Sequence, residues 1–120
     1  MAEHNDLGQK GEQLACDFLR KKGYQILETN WYHGKAEIDI IAENDEFVVI
    51  VEVKTRSTNY FGEPEVFVDR QKQRHLIKAA NAYALQHDID KEIRFDIIAV
   101  LMGGNAHKIH HIDNAFYPLL

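Results

Sequence analysis

The stretch Ala36-Glu37-Ile38-Asp39-Ile40-Ile41-Ala42 turns through Glu43-Asn44-Asp45-Glu46 and returns as Phe47-Val48-Val49-Ile50-Val51-Glu52-Val53-Lys54-Thr55-Arg56. Both arms are short and rich in Ile and Val, and the turn is polar, so the pair reads as two strands. Asp39, Glu52 and Lys54 interrupt the most apolar part of the chain. Folding gains nothing from a charge there, because an unpaired buried charge is costly or shifts its pKa until it neutralises. Residues two apart on a strand share a face, which puts Glu37 with Asp39 and Glu52 with Lys54. If Glu43 and Glu46 close the hairpin, Asp39 falls opposite Ile50 and Glu37 opposite Glu52. A four-residue loop from Asn44 to Phe47 instead sets Asp39 opposite Glu52 and Glu37 opposite Lys54. Either register gathers the four charges on one face. Facing carboxylates are unfavourable unless a cation lies between them. Mg²⁺ suits the role, since it takes oxygen ligands and keeps several waters.

Outward from the hairpin, the organisation is simple. An apolar stripe of Leu7, Leu14, Ala15, Phe18 and Leu19 predicts a helix from about Asp6 to Lys22, stopped by Gly23. Tyr24 to about Trp31 reads as a first strand. Ser57 to Pro64 reads as a loop. A second helix is expected from a cap at Asp69 to His87, burying Leu76, Ile77, Ala80 and Tyr83 or Ala84. Ile93 to Met102 and His107 to Ile112 read as strands joined by the turn Gly103-Gly104-Asn105. With 120 residues, one domain spanning 1–120 is expected.

The ordered set Asp39, hairpin, Glu52-Val53-Lys54 resembles the PD-(D/E)XK, or restriction-endonuclease-like, nuclease superfamily. Within it the chain is similar to the YraN family over nearly its whole length. The residues that carry the likeness are Gly11-Glu12-Gln13-Leu14-Ala15, Gly23-Tyr24, Asn30, Glu37-Ile38-Asp39, Val51 to Arg56, Lys72, Arg94-Phe95-Asp96 and Asn114-Ala115-Phe116. Ile38 stands where the superfamily name puts Pro, and Ala36 where the family motif usually has Gly; neither is a ligand. The resemblance implies an α/β fold, a central mixed sheet flanked by helices, and metal-dependent hydrolysis of nucleic acid, DNA before RNA. On it, Asp39 and Glu52, with the Val53 carbonyl joining them, would hold Mg²⁺ or Mn²⁺. Lys54 would orient the attacking water or stabilise growing charge, and Glu12 would bind the metal or a metal-bound water.

The formal charge of −5 argues against a general nucleic-acid coating protein, but not against a nuclease whose carboxylates a metal neutralises. Cations cluster at Arg20, Lys21 and Lys22, and again at Arg70, Lys72, Arg74 and Lys78. The second set is the candidate phosphate contact, with a solvated helix face as the plain alternative. Asp96 reads as an anchor behind the site or, preferably, a structural pair with Arg94. His107, His110 and His111 read as surface or rim residues. Cys16 is the only cysteine, so neither an intrachain disulfide nor a cysteine zinc site is expected. No apolar run approaches a membrane span, and the polar start does not resemble a secretory signal, which makes the cytoplasm the expected address. A homodimer is left open. So are two rival functions: a nucleic-acid-binding module that does not cleave, and a protein-interaction domain.

Overall fold

The computed structural model describes residues 2–57 and 68–116, with side chains from residue 6 onward. Helix α1 (Ala2–Lys21) leads into strands β1 (Gln25–His33), β2 (Ala36–Glu43) and β3 (Phe47–Ser57). Helix α2 (Arg70–Gln86) then precedes β4 (Glu92–Gly103) and β5 (Ala106–Phe116). The strands form one sheet in sequence order. β3 and β4 are parallel, as a helical crossover through α2 allows, and the other neighbours are antiparallel. This is an α/β fold with a mixed sheet flanked by two helices, consistent with a restriction-endonuclease-like core.

Each face of the sheet has its own helix. Ala15, Cys16 and Leu19 of α1 pack with Val49, Val51, Ile98 and Val100. Leu76, Ala79, Ala80 and Tyr83 of α2 pack with Val48, Ile50, Phe95 and Ile97. The alternation in β3 is thus strict, and its arm is buried on both sides, which explains a run of Val and Ile with no polar face. The ends of α2 match the reading from sequence. Asp69 is its N-cap, accepting the Lys72 N–H at 2.8 Å, and His87 is its C-cap.

The β2–β3 connection takes the longer of the two loops considered. Asn44 accepts the N–H groups of Glu46 and Phe47 through Oδ1, and its own N–H donates to the Phe47 carbonyl at 3.0 Å. That local closure makes Glu43↔Val48 the first ladder pair. The remaining differences are small. Tyr24 stands just before β1, β5 runs on to Phe116, and the last turn is confined to Gly104 and Asn105. Apart from Ser57, which ends β3, the loop expected from Ser57 to Pro64 lies outside the described residues. Among the described residues, no helix is long and apolar enough to cross a membrane.

Candidate metal and nucleic-acid site

β2 and β3 are neighbours in the sheet, but they pair only from Glu43↔Val48 to Ile40↔Val51. Beyond that rung the hairpin forks. Asp39 sits at the crotch, where its Oδ2 accepts the Val53 N–H at 2.8 Å. A side chain thus takes a backbone donor just past the end of the ladder, which satisfies that donor and pins Asp39 to the opposite strand.

The strict alternation expected of β2 fails at the same place. Ile38 packs with the α2 cluster, whereas Ile40, two residues on, packs with the α1 cluster. The neighbouring strand β1 is irregular at the same level. Asn30, between the pairs Thr29↔Ile40 and Trp31↔Ile38, is held at φ 50°. Asn is one of the few residues that enters this left-handed region readily. The four charges are therefore not simply on one face, as regular strands would have placed them. Asp39 and Glu52 meet across the fork instead, while Glu37 is held by Asn30 and Lys54 stands apart.

Five of the sequence-predicted site residues come together. Glu12, Asp39, Glu52, Val53 and Lys72, with Gly8 and Thr55, line a cavity of about 320 Å³. Asn30 clamps Glu12 to one more carboxylate beside the cavity, Glu37, its Nδ2 donating to Glu12 Oε1 and Glu37 Oε2, both at 2.9 Å. Burial raises the Glu12 carboxyl, the Asn30 hydrogen bond opposes this, and Glu37 and Glu52 push it up again. Asp39 is affected far more. Burial, then repulsion from Glu52, and more weakly from Glu12 and Glu37, overcomes the Val53 hydrogen bond and lifts Asp39 to about 8.

Lys72 of α2 meets Glu52 at 2.6 Å. Burial alone would lower the Lys72 pKa, but Glu52, Asp39 and Glu37 outweigh it and leave it raised. Lys54 behaves differently. Half-buried in the ladder opposite Ala99, it does not line the cavity, and among the described residues it forms no salt bridge. Among the described residues, no three His, Cys, Asp or Glu side chains are grouped closely enough to enclose a metal by themselves. Mg²⁺ does not need three, since it is commonly held by one or two carboxylates and waters. The donor set fits a hard cation: Asp39 and Glu52 supply only oxygen. Glu52 Oε1 is buried with no hydrogen-bond partner among the described residues.

The cavity opens along α2. A second cleft shares Asp39 and Lys72 with it and continues past Gln71 and His75 to Lys35. A third shares Lys35 and His75 and ends at His33 and Lys78. Of the four cations expected to touch phosphate, Lys72 and Lys78 line this path, while Arg70 and Arg74 are exposed outside it. Lys35, His33 and His75 were not foreseen. The available signal was the three-residue spacing of Lys72, His75 and Lys78, which aligns one side of a helix.

A second group of buried charges is structural. Arg94 forks onto Asp96 through Nε and Nη2 at 2.9 and 2.8 Å and also donates to the Tyr24 hydroxyl. The Asn114 N–H donates to Asp96 Oδ1, and His111 Nε2 lies 2.8 Å from Oδ2. Burial would raise the Asp96 carboxyl, but His111, Arg94 and Asn114 together hold it below its usual range. The pairing of Asp96 with Arg94 stands as read. His111 does not: its side chain is only 4% exposed, because Asp96 draws it into the core. His107 and His110 are exposed, as expected.

The model of the uncharacterised protein family UPF0102 matches residues 11–100, which contain the fork, both helix–sheet contacts and the Arg94–Asp96 pair. The chain belongs to the UPF0102 family. This is the YraN family that the motifs resembled. A UPF0102 protein of Flavobacterium psychrophilum is 58% identical over 117 residues, 98% of each chain. One from Christiangramia forsetii is 50% identical over the same length and coverage. One from Bacteroides thetaiotaomicron is 47% identical over 120 residues, 100% of this chain and 99% of its own.

Proposed function

We propose that this UPF0102 chain is a metal-dependent nuclease that hydrolyses phosphodiester bonds of nucleic acid, DNA before RNA. The observation that carries the reading is a carboxylate surplus at a strand fork: Asp39 lifted to about 8 beside Glu52, whose buried Oε1 has no partner among the described residues. Lys72 meets only one oxygen of Glu52, so the arrangement burdens the metal-free fold, and a divalent cation between the two carboxylates would relieve it. Asp39 and Glu52, with the Val53 carbonyl, are the ligands in this reading. Mg²⁺ or Mn²⁺, when bound, supplies Lewis acidity toward a phosphoryl oxygen and lowers the pKa of a bound water. Glu12, clamped by Asn30, orients water at the mouth of the cavity. Lys54 follows Glu52 on β3 and stabilises charge growing on the phosphate. Lys72, Lys35 and Lys78, spaced along the adjoining clefts with Glu37 and Asp69 on the same wall, support a polyanionic substrate despite the net charge of −5.

A cleavage assay tests this. The full chain, incubated with linear, flapped and four-way-junction DNAs, should cut at least one of them in Mg²⁺ or Mn²⁺ and none in EDTA. Lys54→Met should abolish cutting while leaving metal affinity intact or improved. Cleavage by Lys54→Met at the wild-type single-turnover rate would remove Lys54 from the reaction. One arrangement favours a second reading, a binding module that does not cleave: Lys72 rather than a third carboxylate fills the space beside Glu52, and Lys54 stands off the cavity. Metal-dependent DNA binding without cutting on any substrate would select it.

A further inference from the structure

Glu52 is treated unevenly by its surroundings. Its Oε2 is 2.6 Å from Lys72 Nζ, while Oε1 is buried and without a hydrogen-bond partner among the described residues. The two partners are also unequally placed: the Glu52 side chain is 7% exposed and that of Lys72 51%. A lysine serving only to neutralise this carboxylate could satisfy both oxygens, since an ammonium carries three donors. Lys72 instead reaches in from solvent on a four-carbon stem. Its backbone is fixed, because its N–H donates to the cap Asp69 at 2.8 Å, so the side chain can swing without moving α2. It lines both the cavity that holds Asp39 and Glu52 and the cleft beside it, where Lys35, Lys72 and His75 stand among the carboxyls of Glu37, Asp39 and Asp69. A divalent ion at Glu52 and Asp39 would meet this ammonium at close range. Two positive charges a few ångströms apart in a partly buried site repel strongly.

We propose that Lys72 is the resident counter-ion of Glu52 in the metal-free protein, that a divalent metal displaces it, and that the freed ammonium turns into the adjoining cleft to meet a substrate phosphate. The inference rests on the metal-dependent reading above. It makes Lys72 a place-holder that keeps Glu52 paired through Oε2 until the metal arrives, and couples metal loading to the charge of the substrate path. The cost is competition: every metal ion must evict a lysine.

Calorimetric titration of Mg²⁺ into the full-length wild type, Lys72→Met and Lys72→Arg proteins reads this directly. Removing the competitor should tighten Mg²⁺ binding about tenfold, equivalent to about 1.4 kcal/mol. Lys72→Arg, which keeps the charge, should stay within about threefold of wild type on the same scale. In wild-type protein carrying ¹³C-lysine, the Lys72 ε-methylene signal, assigned by its absence from Lys72→Arg, should move toward those of the exposed lysines as Mg²⁺ is added. That second measurement stands even if Lys72→Met does not fold. Equal or weaker Mg²⁺ binding by a folded Lys72→Met, or a Lys72 signal that stays put while Mg²⁺ binds, overturns the displacement and leaves the nuclease reading standing. A wild type that binds neither Mg²⁺ nor Mn²⁺ overturns both.

Discussion

Asn30 does two jobs that no other side chain could easily combine. Its backbone enters the left-handed region within β1, and its amide holds Glu12 and Glu37 together at 2.9 Å each. Without a shared donor these two carboxylates would repel across the mouth of the cavity. Separate substitutions separate the two roles. Asn30→Gly keeps the backbone conformation and loses the clamp, whereas Asn30→Ala loses both. A left-handed non-glycine residue costs about 1–2 kcal/mol. Urea unfolding should therefore rank wild type above Asn30→Gly and Asn30→Gly above Asn30→Ala, with the last about 1–3 kcal/mol below wild type. An Asn30→Ala protein as stable as Asn30→Gly would mean that the backbone strain has no energetic weight here. Nothing in the local pattern of β1 announced this. A single Asn in a strand reads as a weak position, and its meaning depends on Glu12 and Glu37, which come from two other elements.

At the scale of elements, α1 must lie very close to β3 for Glu12 to reach the fork. Gly11 makes that possible. A methyl group at Gly11 would overlap Thr55 Oγ1 and come within 2.9 Å of its Cγ2 and 3.0 Å of its Cβ. Thr is branched at Cβ and rigid about χ1, so it cannot step aside cheaply. In an exposed helix interior Gly→Ala is worth about 1 kcal/mol of stabilisation. Gly11→Ala should instead destabilise, by about 1–3 kcal/mol as overpacking does, and Thr55→Ala in the same chain should restore much of the loss. A stabilised Gly11→Ala would show that the helix can retreat. The elements themselves were largely legible. The 3.6-residue stripe found α1, the cap Asp69 found the start of α2, and dense Ile and Val found β2, β3 and β4. Register was open between two choices until Asn44 closed the loop on Phe47. The fork was not legible, because it needs the strand alternation to fail at Asp39, and a pattern reading assumes that alternation. The contact of Lys72 with Glu52 was not legible either, because it depends on how α2 crosses the sheet.

For the whole molecule, the two groups of buried charge answer pH in opposite directions. Asp96 has a lowered pKa, so its contribution is present above the ordinary carboxylate range and lost only as pH falls below it. Asp39 is raised to about 8 from an ordinary 3.8, so the folded state holds a proton that the unfolded chain has already released. Between those values rising pH therefore destabilises the metal-free fold, by at most about 1.4 kcal/mol per pH unit. A bound metal needs the ionised carboxylate, so its stabilising effect should grow across the same window. The measurement that tests the central claim is a set of thermal melts of wild type and Asp39→Asn from pH 5 to 8.5, in EDTA and in excess Mg²⁺. The neutral amide can still accept the Val53 N–H, which leaves the fork intact. In EDTA, wild-type Tm should fall toward pH 8.5, and Asp39→Asn should be at least as stable as wild type there. Mg²⁺ should raise wild-type Tm most at high pH, with about 2.7 kcal/mol available at a hundredfold excess over Kd, and should leave Asp39→Asn nearly unmoved. A metal-blind wild type together with a destabilised Asp39→Asn would make Asp39 a structural partner and contradict the metal site.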